Sequence, residues 1–344
     1  MSIISEVRTI GLDLAKNVFQ IHGADETGAV VFRKQLRRGQ VLKFFSGLQQ
    51  CLVAMEACGS SHFWAREIGR LGHEVRMIPP AYVKPFVKRQ KNDMADAEAI
   101  CEAAQRPTMR FVAVKSEETQ GAAVMLRTRD LLIRQRTQTI NALRGHLAEF
   151  GEVALQGLNY ASKLIAMVED PQTALPETAR AALRFLTAAL SQLNDQIRTL
   201  DAQIVRRARE DETARRLMTI PGVGPLIATA LVTLAPSPEI FKRGRDFAAW
   251  LGLVPRQHST GGKQRLGSTT KMGERSLRRL LIIGANSELV WRTRKGATPG
   301  TWLAKMLAHK PPMLVRVALA NKMARIVWAI MAKGGTYRAP VAAA

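Results

Sequence analysis

Four acidic residues in the first third of the chain have the types and spacing needed to hold metal ions. Asp13 stands at the end of a β-rich apolar run, and Glu56 directly follows a second apolar run. Asp93 and Asp96 lie three residues apart at the start of a predicted helix, so they share one of its faces. Carboxylates held together repel one another unless divalent cations neutralise them, and oxygen ligands suit Mg²⁺ or Mn²⁺. Such a site can stabilise both oxygens of a phosphoryl displacement, although taken singly Asp13 fits a turn residue and Asp93 a helix N-cap.

A serine in the last third is the second candidate for chemistry. Ser259 and Thr260 precede two glycines in a polar, glycine-rich loop over residues 256–271, and His258 adjoins them as a possible base. A serine hydroxyl is a poor nucleophile unless it is deprotonated, but cationic neighbours stabilise both a phosphate and a developing alkoxide. The cationic candidates around the serine are Arg256, Lys263, Arg265 and Lys271. The residue types alone favour a flexible loop that grips phosphate without reacting, and they leave serine chemistry as the alternative.

A glycine-containing turn, IPGVGP at residues 220–225, joins two apolar segments that are predicted to be helices. Gly222 and Gly224 allow a tight backbone turn, and the N–H groups that begin the second helix can bind a phosphate. This pattern is typical of a helix-hairpin-helix element that contacts the DNA backbone, and a purely structural turn is the alternative. Further helices are predicted over residues 247–251, 276–289 and 314–331, which makes the C-terminal part mostly helical.

The elements that must position the four acids read as an α/β domain. Strands are predicted over residues 7–14, 18–23, 30–34, 51–55 and 75–78, and helices over residues 42–48, 63–71 and 95–104. Three strands followed by helix, strand, helix, strand and helix is the order expected of a ribonuclease-H-like fold. In that fold the first and fourth strands are neighbours, so their ends bring Asp13 and Glu56 together, and the last helix supplies Asp93 and Asp96.

The middle of the chain carries long helical patterns. Leu126, Ile133, Ile140 and Leu147 recur every seven residues. A second set then alternates spacings of three and four, as in an a/d seam; it comprises Leu183, Leu186, Leu190, Leu193, Ile197, Leu200 and Ile204. This seam favours a helical hairpin or an intermolecular coiled coil over a single amphipathic helix packed on its own domain.

The charge of the chain indicates a polyanionic partner. The 344 residues suit about two or three domains, and the formal net charge is +23. From residue 213 onward there are 22 Lys and Arg against 4 Asp and Glu, which favours phosphate binding over a merely solvated surface. No apolar run is long enough to span a membrane, and the start lacks the features of a secretion signal. The three cysteines have no metal-ligand spacing and fit a reducing cytosol.

Seven short motifs, in this order and spacing, resemble one family. They are IGLDLAK (10–16), MEACGS (55–60), KNDMAD (91–96), IPGVG (220–224), WLGLVPR (250–256), GGK (261–263) and SLRR (276–279). Together they strongly resemble the DEDD transposases of the one-ten group of insertion sequences. The eleven-eleven subgroup and the Piv-type and MooV-like DNA recombinases are relatives of that group. The resemblance extends from about residue 5 to residue 335.

The resemblance implies a division into a RuvC-like domain at 1–115, a helical coiled-coil linker at 116–212, a C-terminal transposase domain at 213–335 and a tail at 336–344. It maps an acidic tetrad onto Asp13, Glu56, Asp93 and Asp96. In that family a serine forms a covalent 5′-phosphoserine link to DNA, while the acids and Mg²⁺ assist from another protomer of a tetramer. A structured bridge RNA pairs with donor and target DNA. A bacterial cytoplasmic, nucleoid-associated protein is expected, with the seam as contact between protomers.

One position departs from the family pattern. The nucleophilic serine often directly precedes the first glycine of the pair, but that position here is Thr260. Ser259 stands one residue earlier, and its primary hydroxyl is less hindered than the secondary hydroxyl of threonine. Ser259 is therefore the preferred nucleophile. The residue types alone favour a loop that only binds phosphate, and serine chemistry is favoured only because of the resemblance.

Two other functions remain open at this point. A RuvC-like, metal-dependent nuclease or Holliday-junction resolvase needs the four acids but no serine, and hydrolysis leaves no covalent protein–DNA adduct. A non-enzymatic nucleic-acid-binding protein leaves the acidic cluster unexplained, because negative charge repels DNA.

Overall fold

The computed structural model describes residues 6–88, 92–296 and 300–339, which group into two compact units, Met1–Glu117 and Glu118–Ala344. The predicted linker and C-terminal domain fall together in the second unit, so the boundary between them stays a prediction. Residues 340–344 of the predicted tail and Lys91 of the third motif lie outside the described residues.

The first unit is built on a mixed five-stranded sheet. Its strands are β1 (Thr9–Asp13), β2 (Val18–Ala24), β3 (Val30–Arg37), β4 (Leu52–Glu56) and β5 (Glu74–Ile78). Their order across the sheet is β3-β2-β1-β4-β5. The first three strands form an antiparallel meander, whereas β4 pairs parallel to β1 and β5 pairs parallel to β4. The predicted α/β class of the N-terminal part is confirmed.

Helices cover both faces of this sheet. They are α1 (Val41–Ser46), α2 (Ser61–Arg70), α3 (Pro80–Val83) and α4 (Asp93–Ala104). On one face Trp64 and Ile68 of α2 pack with Phe19 and Met55 of the strands. On the other face the small residues of α4 pack close to β1 and β2. The alternation of strand side chains thus builds two cores, one on each side of the sheet.

Two long antiparallel helices begin the second unit. They are α5 (Glu117–Ala148) and α7 (Glu177–Glu210), with α6 (Ala161–Glu169) between them. An Arg129–Asp201 ion pair and an Arg136–Asn194 hydrogen bond of 3.3 Å join α5 to α7.

The seam residues of α7 divide into two sets. Leu183 and Leu190 are buried in a core formed with α5 and α6, whereas Leu193 and Leu200 are partly exposed. The chain therefore contains the helical hairpin, one of the two predicted arrangements, and the intermolecular coiled coil stays a prediction.

The rest of the second unit is mostly helical, as predicted. Its elements are α8 (Glu212–Leu217), α9 (Pro225–Leu234), α10 (Gly244–Trp250), β6 (Pro255–Gln257), β7 (Leu266–Thr269), α11 (Arg275–Lys295), α12 (Trp302–His309) and α13 (Pro312–Lys333). Buried side chains such as Phe247, Leu281 and Val327 join α10, α11 and α13 in one core. Across the described residues, no helix has both the length and the apolar character required to cross a membrane.

The predicted polar, glycine-rich loop over residues 256–271 contains two short strands that the sequence reasoning missed, because β6 and β7 pair there as an antiparallel hairpin around residues 258–265. Gly261 and Gly262 both adopt positive φ angles, 55° and 73°. A two-residue turn with two positive φ angles matches the right-handed twist of a hairpin, and glycine adopts it without a steric penalty. The glycine pair therefore reverses the chain between two short strands.

Candidate functional site

The ends of two parallel strands and the start of α4 bring acidic side chains together. Asp13 is the last residue of β1 and Glu56 the last of β4, and these neighbouring strands run in the same direction. One carboxylate oxygen from each of Asp13, Asp93 and Asp96 lies within 4.8 Å of the others. Asp13 and Asp96 are partly buried, and Asp93 is exposed. Three of the four predicted acids thus form a compact cluster of hard oxygen ligands.

Glu56 lies outside this compact group, yet its charge acts on it. The pKa of Asp13 is raised to about 6, chiefly because burial disfavours its charged form. Repulsion from Asp96, Asp93 and Glu56 adds to the effect, and a hydrogen bond from the Leu14 backbone N–H opposes it. The cluster therefore holds more negative charge than its own protein surroundings neutralise.

Two residues absent from the predicted site position α4. The Asn92 side chain accepts a hydrogen bond of 2.8 Å from the Ala95 N–H and caps the helix, so the alternative role of Asp93 as N-cap is wrong. At Gly11 a Cβ atom would lie 2.1 Å from the Ala97 carbonyl oxygen. Only glycine permits this close crossing of β1 and α4, which sets both aspartates of the helix near Asp13. An isolated glycine inside a buried strand is the sequence signal that could have identified it.

The hairpin of β6 and β7 carries the predicted nucleophile. The His258 N–H donates to the Arg265 carbonyl at 2.8 Å, and the Lys263 N–H donates to the Thr260 carbonyl at 3.0 Å. Ser259 stands between these two links, next to the turn, and its Oγ accepts a 3.2 Å hydrogen bond from the Arg265 N–H. All residues from 255 to 268 are exposed, so the hydroxyl is open to a large substrate.

The geometry gives no support to His258 as the base for this serine. A Cβ atom on Gly267 would lie 3.3 Å from His258 Nε2, so the imidazole covers the opposite strand. Within residues 6–88, 92–296 and 300–339, neither an imidazole nor a carboxylate hydrogen-bonds to Ser259 Oγ.

The four predicted phosphate-binding cations belong to the hairpin and its base. Arg256, Lys263 and Arg265 are exposed on the hairpin, and Lys271 directly follows it. In the described part of the chain none of the four forms an ion pair with an acidic group. Lys271 is also the one non-glycine residue there with a positive φ, 54°. Their charges are therefore available to a polyanion.

The turn between α8 and α9 combines a packing role with an open helix start. Gly222 has a φ of 82°, and a Cβ atom there would lie 2.4 Å from the Gly284 carbonyl oxygen of α11. Gly224 is exposed, and a Cβ atom there would contact nothing within 4 Å. A groove of about 750 Å³ lies beside this turn. The close packing against α11 thus explains why residue 222 is a glycine, and phosphate binding at Gly222 and Gly224 stays a prediction.

Comparison with known proteins identifies the family. A DEDD transposase model of the IS110 type, described as "Transposase", matches residues 10–151. A second model, "Transposase IS116/IS110/IS902 family", matches residues 214–298. The chain belongs to the IS110/IS116/IS902 transposase family. The first match contains all four predicted acids, and the second contains Gly222, Gly224 and the serine hairpin.

Full-length relatives agree with the family models. A "Probable family 20 transposase" of Pseudomonas aeruginosa is 49% identical, with coverage of 96% of this chain and 98% of the relative. The "Transposase for insertion sequence element IS1328" of Yersinia enterocolitica is 39% identical, covering 96% and 98%. The "Transposase for insertion sequence element IS1111A" of Coxiella burnetii is 36% identical, covering 97% and 92%. This transposase is therefore an enzyme that acts on DNA, and its DEDD domain implies dependence on a divalent metal.

Proposed function

We propose that this transposase cuts and rejoins DNA through a covalent 5′-phosphoserine at Ser259, aided by Mg²⁺ at Asp13, Glu56, Asp93 and Asp96 and guided by a structured bridge RNA. The observation that carries the proposal is the exposed Ser259 hydroxyl on a hairpin whose cations form no ion pair with an acidic group anywhere in the described ranges. A loop that only binds the DNA backbone does not need a serine hydroxyl exposed in this way.

The N-terminal unit suits a RuvC-like role. A three-stranded meander followed by two parallel strands, with α4 across β1, is the arrangement expected of ribonuclease-H-like enzymes. The acids then collect where the carboxyl ends of β1 and β4 meet.

The donor set of the cluster fits Mg²⁺ or Mn²⁺. Every candidate ligand is a carboxylate oxygen, and the raised pKa of Asp13 reflects burial and excess negative charge that a divalent cation relieves. Asp13, Asp93 and Asp96 would hold the ion, and Glu56 adds a further carboxylate at the same edge. When bound, the metal neutralises charge that develops on phosphate oxygens.

The serine step balances without an external cofactor. Ser259 Oγ attacks the phosphorus, the bond from phosphorus to the 3′ oxygen breaks, and the serine proton ends on the released 3′ hydroxyl. Arg256, Lys263 and Arg265 stabilise the charge on the phosphate oxygens during this exchange. The phosphoserine bond conserves the energy of the phosphodiester, so attack by a new 3′ hydroxyl rejoins DNA and frees the serine.

Guidance by RNA suits the basic C-terminal part. Its cations bind any phosphate backbone and carry no sequence information of their own. Base pairing with a bridge RNA supplies the sequence choice, and protomers that assemble as dimers and then tetramers bring donor and target DNA together. Exposed Gly224 at the start of α9 adds a backbone contact to DNA.

A metal-dependent nuclease or Holliday-junction resolvase is the second candidate function. The absence of a base hydrogen-bonded to Ser259 Oγ within the described residues favours it, because the acids would then act alone. Hydrolysis by the acids leaves no protein–DNA adduct, which separates the two candidates by experiment. The family's activity as a transposase argues against the non-enzymatic alternative.

Trapping the adduct on a nicked DNA substrate tests the serine step. We expect wild-type protein to become covalently linked to DNA at Ser259, Ser259→Ala to lose both adduct and recombination, and Thr260→Ala to weaken them only modestly. Mapping the linked peptide identifies the residue. A link at Thr260 with active Ser259→Ala moves the nucleophile by one position. Full recombination by the variant that carries both Ser259→Ala and Thr260→Ala, without any adduct, refutes serine chemistry and favours the metal-dependent nuclease.

A further inference from the structure

The serine hairpin has no support along its length. Residues 255–268 are all exposed, so neither strand packs on a core that could fix its direction. Where Ser259 lies is therefore decided at the base of the hairpin, by the residues that hold its two ends together.

One guanidinium closes that base. Arg278, in the first turn of α11, donates from one nitrogen to the Leu251 carbonyl at 3.0 Å and to the Met272 carbonyl at 2.9 Å. Leu251 precedes the first strand and Met272 follows the second, so Arg278 ties the entering chain to the leaving chain. Hydrogen bonds from a charged donor are roughly twice as strong as neutral ones.

At this base two backbone segments approach so closely that only glycine fits at two positions. A Cβ atom on Gly252 would lie 2.0 Å from the Met272 carbonyl oxygen, and one on Gly273 would lie 1.7 Å from the Trp250 carbonyl oxygen. The Lys271 N–H donates to the Gly252 carbonyl at 3.2 Å, with Lys271 held at positive φ. A non-glycine residue in this conformation persists only where its surroundings enforce it. The base is thus a close-packed clasp, and Arg278 supplies the side chain that joins its entering and leaving ends.

Small movements at the clasp become large at the nucleophile. Ser259 lies five residues beyond Val254, which at about 3.3 Å per residue places it up to roughly 16 Å from the base. At that full extension a rotation of about 5° at the base would move Oγ by about 1.4 Å. Misplacement of a reacting atom by about 1 Å can cost about 100-fold in rate.

We propose that Arg278 is a positioning residue that aims Ser259 at the scissile phosphate by clasping the base of its hairpin. The inference rests on the proposed function, because it presupposes that Ser259 forms the adduct. It assigns to the SLRR motif a task distinct from DNA binding: the Arg278 guanidinium is directed at two carbonyl groups.

The test compares Arg278→Ala with Arg278→Lys and with the control Arg275→Ala. Arg275 lies on the same helix, is exposed, and has no side-chain partner within the described residues, so its replacement removes the same charge without touching the clasp. We expect Arg278→Ala to form the adduct at least tenfold more slowly at saturating DNA, with an unchanged dissociation constant and a larger share of links at Thr260. Arg278→Lys should fall between Arg278→Ala and wild type, and Arg275→Ala should form the adduct at the wild-type rate at saturating DNA, with links at Ser259 alone.

Two readouts separate positioning from a loss of folded protein. The ratio of Ser259 to Thr260 links does not depend on the folded fraction. Amide exchange of Thr270 and Lys271 should rise in Arg278→Ala and Arg278→Lys while the α11 amides stay protected, and this measurement needs no DNA.

Each result decides the proposal. Wild-type rates, with links at Ser259 alone and unchanged amide exchange in Arg278→Ala, would overturn the clasp while the serine mechanism stands. If Arg278→Ala does not fold, the same outcomes in Arg278→Lys decide. Failure of the wild-type protein itself to form an adduct overturns the serine mechanism and the positioning role with it.

Discussion

Replacing Asp13 by asparagine should stabilise the metal-free protein while it abolishes recombination. Asn is nearly the same size as Asp and carries no charge, so the change removes the repulsion within the acidic cluster but also a metal ligand. A gain in stability with a loss of function is the signature of a carboxylate kept in an unfavourable place for its chemistry.

The magnitude follows from the raised pKa of Asp13. The change from 3.8 to about 6 is about 2 units, and each unit corresponds to about 1.4 kcal/mol between the two protonation states. That gives about 3 kcal/mol, which we halve to about 1.5 kcal/mol because Asp13 is only partly buried and solvent screens its charge. In the absence of metal at pH 7.5, Asp13→Asn should therefore raise the free energy of unfolding by about 1.5 kcal/mol.

The effect should disappear at low pH. Because the folded state raises the pKa, it favours the protonated carboxyl, and this contribution is fully present below about 3.8 and lost as the pH rises through about 6. Wild-type protein and Asp13→Asn should thus unfold at nearly the same urea concentration near pH 4. Mg²⁺ should stabilise only the wild-type protein at pH 7.5, since the variant lacks a ligand.

Asp25 provides the matched control in the same unit. It is a partly exposed turn residue whose pKa is lowered, chiefly by the hydrogen bond that it accepts from the Thr27 hydroxyl. Asp25→Asn should therefore give no stabilisation at pH 7.5. The reasoning is refuted if urea denaturation shows Asp13→Asn to be less stable than wild type in metal-free buffer, or if its advantage is the same at pH 4 and pH 7.5.

Two further experiments probe the elements around the chemistry. Gly11→Ala places a Cβ atom 2.1 Å from the Ala97 carbonyl oxygen and must push α4 away. Recombination should therefore fall about tenfold or more, and a Mg²⁺ titration should show that the variant needs a higher Mg²⁺ concentration. The control Gly69→Ala, whose added Cβ atom meets open space, should behave as wild type in the same titration. Leu193→Glu combined with Leu200→Glu should give smaller folded particles by light scattering if these partly exposed seam positions pack between chains, and unchanged mass would mean that the seam serves one chain only.

The acidic site was predictable because its determinants are local or topological. Short apolar runs define β1 and β4, and a parallel pair of neighbouring strands places Asp13 and Glu56 at one edge of the sheet. The helix start was less accurate: the predicted helix begins at residue 95, whereas α4 begins at Asp93 because the Asn92 side chain caps it. A side-chain cap decides a boundary that the apolar pattern alone leaves open.

The serine hairpin was missed for a physical reason. Residues 255–268 are all exposed, so their strands show none of the alternation by which a half-buried strand is recognised. The glycine pair at 261–262 was the available signal, because a two-glycine turn between short segments indicates a hairpin. The clasp by Arg278 joins residues 27 positions apart, and no local pattern could reveal it.

The seam of α7 shows a different limit of prediction from sequence. A heptad pattern indicates that one face of the helix is covered, but it does not indicate which chain covers it. Leu183 and Leu190 are covered by α5 and α6 of the same chain, while Leu193 and Leu200 remain partly open. The partner of an amphipathic helix is a tertiary property, so only the structure could divide the seam into these two sets.

The acidic cluster and the serine hairpin are incomplete in complementary ways. Among the described residues, the cluster of Asp13, Asp93 and Asp96 concentrates negative charge, whereas the hairpin presents a hydroxyl and cations that form no ion pair with an acidic group. A phosphate backbone is attracted to the hairpin and repelled by the cluster until a divalent cation neutralises it. DNA affinity should therefore follow the cations of the C-terminal part and be insensitive to metal, while under the proposed mechanism strand cleavage requires both groups. The proposed division of labour lets one chain bind DNA through a C-terminal part with a net charge of +18 and keep a cluster of carboxylates for the chemistry.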